Sequence, residues 1–126
     1  MKQIEATEPE VAADLMLRNP KTLAADATVA EVRELLANPR MQMVLLADGV
    51  AFKGAVTAIP ADAGPAEPAV AYADVSAATI SPHAPAAEAF DRTAGSPTRR
   101  VVVLDEDRNL LGLLCLDPSL TRFCGA

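Results

Sequence analysis

The chain has 126 residues and a formal net charge of −6; 51% of it is apolar, yet only 3% is aromatic. That length suits one compact domain, or two half-domains sharing a core built from Ala, Val and Leu. The acidic balance speaks against a nucleic-acid or anionic-membrane surface. No run approaches the roughly 18 apolar residues of a membrane span, and residues 1–10 carry no targeting pattern, so a cytoplasmic location is expected.

Thr7-Glu8-Pro9-Glu10 has the composition of a helix start with Thr7 as its cap, and Val11, Ala12, Leu15 and Met16 then share one helical face. Asn19-Pro20 should end that helix, and residues 21–24 read as a short extended piece. Thr28-Val29-Ala30-Glu31 is a capping box, in which Thr and Glu each satisfy an orphan backbone donor. It predicts a helix that buries Val29, Val32, Leu35 and Leu36 and closes at Asn38-Pro39. Residues 41–47 read as a buried strand, Asp48-Gly49 as a tight turn and 52–57 as the returning strand. Between Pro60 and Pro68 the prolines rule out a continuous helix.

Beyond that stretch the plan recurs. Residues 70–75 form a shorter leading helix, Thr79-Ile80 a short strand, and Pro85 takes the first position of a helix over 84–93 with Ala86, Ala89, Phe90 and Thr93 inward. Residues 100–104 and 110–116 are two strands joined by a polar turn over 105–109. Asp117-Pro118 opens a last short helix with Leu120 and Phe123 inward, and Gly125 stops it.

The recurrence is a duplication. Val44-Leu45-Leu46-Ala47-Asp48 answers Val101-Val102-Val103-Leu104-Asp105, and Thr22-Leu23 answers Thr79-Ile80, at an offset of 57. Gly54-Ala55-Val56-Thr57 answers Gly112-Leu113-Leu114-Cys115 at 58, because the second turn is one residue longer. Ala13-Asp14-Leu15 matches Ala73-Asp74-Val75 at 60, which implies about three extra residues near Leu17 to Asn19 in the first copy. Neither copy alone is large enough to bury a comfortable core, so the two should pack on each other.

The runs TLAADATVAEVRELL and RRVVVLDEDRNLLGLLCLD, with the duplication, resemble cystathionine-β-synthase-type (CBS) domains in tandem, a Bateman module, over residues 7–124. The resemblance implies an α/β fold: two pseudo-symmetric CBS repeats of β-α-β-β-α type packed as one module. Repeat 1 would cover 7–60, a linker 61–69 and repeat 2 70–124. It also implies two clefts between the copies, of a kind often occupied by AMP, ATP or S-adenosylmethionine. Pairing into a homodimer and regulation of an enzyme, transporter or channel, rather than catalysis, are further implications.

On that resemblance the ligand-binding candidates are Thr22, Leu23, Thr79 and Ile80, where the family's backbone meets an adenine ring. Thr57 and Cys115 stand at the hydroxyl position that ends the last strand of each copy, Arg99 and Arg100 are the cationic candidates for a phosphate, and Asp117 is an acidic neighbour. The family places an Asp three residues past the hydroxyl to hold the ribose diol. Here Pro60 and Pro118 occupy those positions, and Asp62 and Asp117 are out of register. A ligand hydroxyl left unpaired costs about 1–3 kcal/mol.

Two readings therefore stand together. One is a sensor of a small intracellular ligand, an adenine nucleotide or related cofactor by default, that signals through the angle between repeats. The other is a ligand-free module for dimerisation or docking. A Gly-rich phosphate loop, GxSxG and a metal-ligand cluster are all missing, so catalysis is not expected, and His83 belongs to an exposed loop. In a reducing compartment Cys115 and Cys124 should be free thiols, with Cys115 as a small core residue. Sequence leaves a disulfide between them open.

Overall fold

Two small sheets carry the fold, and each borrows its outer packing from the opposite half of the chain. The computed structural model describes residues 10–39, 41–74, 79–117 and 123. The first copy contributes helix α1 (Ala12–Leu15), β1 (Leu17–Arg18), β2 (Thr22–Ala24), α2 (Val29–Leu36), β3 (Val44–Asp48) and β4 (Ala51–Val56). The second contributes a 3₁₀ turn (Ala69–Tyr72), β5 (Thr79–Ile80), α3 (Ala86–Gly95), β6 (Arg100–Leu104) and β7 (Leu110–Cys115). The mixed α/β, two-repeat architecture is the one the sequence implies.

In the first sheet β2 runs parallel to β3 and β3 antiparallel to β4; in the second β5 runs parallel to β6 and β6 antiparallel to β7. The duplication extends to defects. Register slips between Leu46 and Ala47 in one hairpin and between Val103 and Leu104 in the other. Gly54 and Gly112 face the residue just before each slip. A bulge at the same place in both copies bends each hairpin alike.

The leaders are exchanged. Val11 bridges Pro85, and β1 pairs antiparallel with β7 of the second copy, so the second sheet reads β1-β7-β6-β5. Reciprocally, Pro68 bridges Thr28 and Asp74 bridges Ala55 of the first copy. Ala12 fills the core beneath α3 with Ala89, Val101, Val103 and Leu114, and Ala69 fills its twin beneath α2 with Val32, Val44, Leu46 and Val56. A third core lies on the dyad: Met43, Leu45, Phe52 and Ala55 from one copy against Val102 and Leu104 from the other. The hairpin tips also bond, the Phe52 amide to the Arg108 carbonyl at 3.1 Å and the Leu110 amide to the Val50 carbonyl at 2.7 Å.

Several expectations change. The leading helix is only α1, because Leu17 and Arg18 are needed as a strand on β7; it therefore ends well before Asn19-Pro20. The leaders match at 57 rather than 60, since the bridge Val11 to Pro85 is the counterpart of Pro68 to Thr28. The first copy therefore has no extra residues there. Pro85 is the N-cap of α3 rather than its first residue, with φ −60° and ψ 152°. The Thr28 capping box forms as expected: Glu31 Oε1 accepts from the Thr28 amide at 3.0 Å and Thr28 Oγ1 from the Glu31 amide at 3.3 Å. Thr7, Val75, Pro118, Leu120 and Gly125 lie outside the described residues.

The 61–69 stretch is not open. Arg33 of α2 donates to the carbonyls of Pro60 and Ala63, each at 2.9 Å. The carbonyls of Pro65 and Glu67 accept from the Ala30 and Val29 amides, two of the orphan donors at the start of α2.

Candidate functional site

The register of the second sheet gathers one group of the sequence candidates. Arg100 opens β6 opposite Cys115, the last residue of β7. One rung outward, the Leu116 amide donates to the Arg99 carbonyl at 3.0 Å, and Asp117 follows. On the other side of β6, Thr79 of β5 pairs with Val102. Thr79, Arg99, Arg100, Cys115 and Asp117 thus collect where β5 and β6 begin and β7 ends.

A tight turn aims the two arginines. The Arg99 amide donates to the Ser96 carbonyl at 3.0 Å, Ser96 Oγ donates to the Arg100 carbonyl at 3.0 Å, and an Arg100 guanidinium N–H reaches the Thr98 carbonyl at 2.7 Å. Arg99 closes that turn with φ 55°, in the left-handed region. A side chain there costs about 1–3 kcal/mol and persists only where the surroundings enforce it. Its Nε is buried and has no hydrogen-bond partner among the described residues; an orphaned buried donor in a native fold asks for a missing acceptor, often a water or an ion. Burial, and then the positive charge of Arg99 beside it, push the Arg100 pKa below its ordinary value. An anion at this end would relieve both the orphaned donor and the crowding of like charge.

Cys115 does not supply the expected thiol. It is 5% exposed and disulfide-bonded, so the free-thiol expectation fails for it; the chain's one other cysteine is Cys124, outside the described residues. The hydroxyl position of the second copy therefore offers no hydrogen-bond donor.

The first copy is arranged differently. Thr22 and Leu23 lie on β2 opposite Leu45 and Leu46, and Thr57 follows β4 as an exposed residue. The positions corresponding to Arg99 and Arg100 hold Gln42 and Met43. Of the adenine-edge candidates in the second copy, Ile80 is buried, and the Thr79 carbonyl is taken by Arg92 at 2.9 Å.

Two of the sequence candidates, Thr79 and Ile80, line a groove of about 700 Å³ that runs on over Ser81, His83, Glu88, Arg92, Asp105 and Arg108 among others, which the sequence reading did not single out. The Glu88–Arg92 spacing is its legible trace: the two side chains meet at 3.5 Å. Its Asp105 carboxylate is consumed by the hairpin turn, accepting from the Asn109 amide at 2.8 Å and the Asp107 amide at 2.9 Å. Glu88, Asp105, Glu106 and Asp107 on its walls outnumber Arg92 and Arg108, a charge balance unfavourable to an anion. Among the described residues no group of His, Cys, Asp or Glu is placed to hold a metal, and no helix is long and apolar enough to cross a membrane.

The model of the CBS domain family matches the chain twice, over residues 11–58 and 72–117. Curated protein sequences give no significant match. Similar solved structures include an acetoin utilization protein (AcuB) from Vibrio cholerae, 18% identical, with TM-score 0.71 and 84% of each chain covered. The CBS-pair protein CBSX2 from Arabidopsis thaliana is 16% identical, with TM-score 0.70 over 86% of this chain and 89% of that one. CBSX2 has also been solved in complex with AMP; that structure is 15% identical, with TM-score 0.69 over 84% of this chain and 90% of the other.

Proposed function

Because the chain belongs to the CBS domain family, and carries two copies of the domain, we propose that it is a regulatory module that binds a small anionic ligand at the arginine end of the second copy. An adenine nucleotide or related cofactor is the default ligand. Binding shifts the angle between the copies, and a partner enzyme or transporter reads that shift. The module works as a cytoplasmic homodimer in this reading. The single observation that carries it is the Arg99–Arg100 doublet, held in a turn that is left-handed at Arg99, whose buried Nε lacks an acceptor among the described residues. The AMP complex of the similarly folded CBSX2 supports it.

A second reading, a ligand-free docking module, is favoured by a different observation. Pro60 and Pro118 stand where a ribose would need a carboxylate, and Cys115 has no hydroxyl or free thiol to offer.

Thermal unfolding with AMP, ATP, S-adenosylmethionine and NAD separates the two. A ligand at about 100 times its Kd should stabilise by roughly 2.7 kcal/mol, and Arg99→Gln with Arg100→Gln should abolish the shift. Stabilisation that survives the double variant but is lost in Thr57→Val would move the site to the first copy. A flat response across the panel leaves the docking module.

A further inference from the structure

The duplication supplies an internal control, and the departures from it collect in one place. In the first copy Glu31 is engaged in the cap of α2, accepting from the Thr28 amide at 3.0 Å and the Thr28 hydroxyl at 3.2 Å. Its twin, 57 residues on, is Glu88, but the twin of Thr28 is Pro85, which has neither an N–H nor a hydroxyl to offer. The Glu88 carboxylate instead lies 3.5 Å from Arg92 Nε, with both side chains half exposed. Arg92 stands where the first copy has Leu35, which packs on the core beneath α2; the arginine reaches the Thr79 carbonyl on the edge strand β5. His83 replaces Asp26, and the short Asp48-Gly49 turn becomes Asp105-Glu106-Asp107-Arg108-Asn109. Glu88, Arg92, His83 and the turn from Asp105 to Arg108 all line the 700 Å³ groove.

We infer that this groove is a second ligand site, and that it takes a small organic cation, an amine or guanidinium carried on a short carbon chain. Its volume lies within the roughly 300–1,000 Å³ of small-molecule pockets. Ile80, Pro82 and Leu104 give it carbon surface, and four carboxylates stand there against two guanidinium groups. The Asp105 oxygens are engaged by Asn109 and Asp107. The positive head is therefore received by Glu88 and by the exposed Glu106 and Asp107, through charge-assisted bonds. The site needs nothing from the arginine end. One wall also belongs to the seam between the copies: the Arg108 carbonyl accepts from the Phe52 amide at 3.1 Å, and the Leu110 amide donates to the Val50 carbonyl at 2.7 Å. Occupancy of the groove is thereby felt by the first copy.

The test is a titration of the full chain with agmatine, followed by amide ¹H–¹⁵N correlation spectra, with glutarate as a probe of similar length and opposite charge. Agmatine should shift the amides of Ser81, Glu88, Glu106 and Arg108 saturably, and that of Phe52 with the same Kd; glutarate should shift none of them. Affinity should fall at least threefold between about 20 and about 200 mM salt. Glu106→Gln with Asp107→Asn should weaken binding at least fivefold, as should Glu88→Gln if the double variant folds poorly. Asp26→Asn with Glu34→Gln removes the same charge from exposed positions of the first copy and should leave Kd within about twofold, since those charges lie outside the groove. Arg92→Gln keeps a donor for the Thr79 carbonyl and releases Glu88, so it should tighten binding at least threefold. No saturable shift, the same shifts with glutarate, or equal loss in the two double variants would each overturn the site, the last because it marks diffuse attraction to an acidic protein. Saturable shifts around the groove without Phe52 would keep the site and overturn its link to the seam. AMP titration reports on the arginine end alone, so a failure there leaves this groove standing.

Discussion

Val11 pairs with Pro85 across an antiparallel bridge, and Pro68 pairs with Thr28 in the same way. The two contacts are images of each other, since 68 − 11 and 85 − 28 both equal 57. Each leader thus closes the helix entry of the other copy, and each sheet gains its outermost partner from the other half. Neither half then owns a complete core: Leu45 and Phe52 lean on Val102 and Leu104. Chains covering 1–60 and 61–126 should each be largely unfolded by circular dichroism, and should regain helix and sheet signal when mixed. Two independently folded halves would contradict the exchange.

Gly112 tests the same exchange locally. A Cβ there would lie 2.6 Å from the Leu17 carbonyl oxygen and would also strike Met16, so β1 must retreat from β7. Gly112→Ala should cost about 1–3 kcal/mol in urea unfolding. Gly95 is the control: a Cβ at the end of α3 meets nothing within 4 Å, and Gly95→Ala should stabilise by about 0.5–1 kcal/mol.

Arg33 is the brace of the proline-rich connection. Its guanidinium holds the Pro60 and Ala63 carbonyls, and bonds from a charged donor contribute about 1.5–3 kcal/mol where they are protected from water. Arg33 is half-buried, so Arg33→Met should cost about 1 kcal/mol. It should also open residues 60–66 to limited proteolysis while leaving α2 intact. Unchanged cleavage would show that the α2 amides hold the connection without it.

The repeat, the strand pairs and the Thr28 cap were legible because each rests on local spacing. The leader exchange was not, because a bond between Val11 and Pro85 leaves no periodicity in either segment. The same blindness produced the false match of Ala13 to Leu15 with Ala73 to Val75: composition alone aligned them, whereas pairing fixes the true offset. At the candidate site the residue types were readable, and the register of β6 and β7 sets Arg100 opposite Cys115 with Arg99 beside it. What sequence could not show was the left-handed turn at Arg99 or the oxidation of Cys115, both of which depend on neighbours distant in the chain.

Asp105 makes the second hairpin sensitive to acid. The Asn109 amide first, then its side chain and the Asp107 amide, hold its pKa below the ordinary 3.8. The unfolded chain then binds the proton more readily, so the contribution is present above that ordinary value and fades as pH falls through the lowered one. Asp105→Asn should be less stable than the parent at pH 7, and the gap in urea midpoint should narrow as pH falls below the ordinary 3.8. A constant gap would mean that the turn depends on shape and not on the carboxylate charge.

Glu67 and Tyr72 form a pair that responds at both ends of the pH scale. The Gly64 amide first, then the Tyr72 hydroxyl at 2.8 Å, lower the Glu67 pKa from 4.5; the bond to Glu67 raises that of Tyr72 from 10.0. The acid limb follows the carboxylate rule: stability is lost as pH falls through the lowered value. The alkaline limb has the opposite sense. A phenol whose folded pKa is raised adds stability that is fully present below 10.0 and lost as pH climbs through the raised value, where the ionised oxygen faces the Glu67 carboxylate. Tyr72→Phe should therefore lower the melting temperature at pH 7 and flatten its decline above about pH 10 relative to the parent. A parallel decline in both proteins would assign the alkaline loss to the lysines and arginines instead.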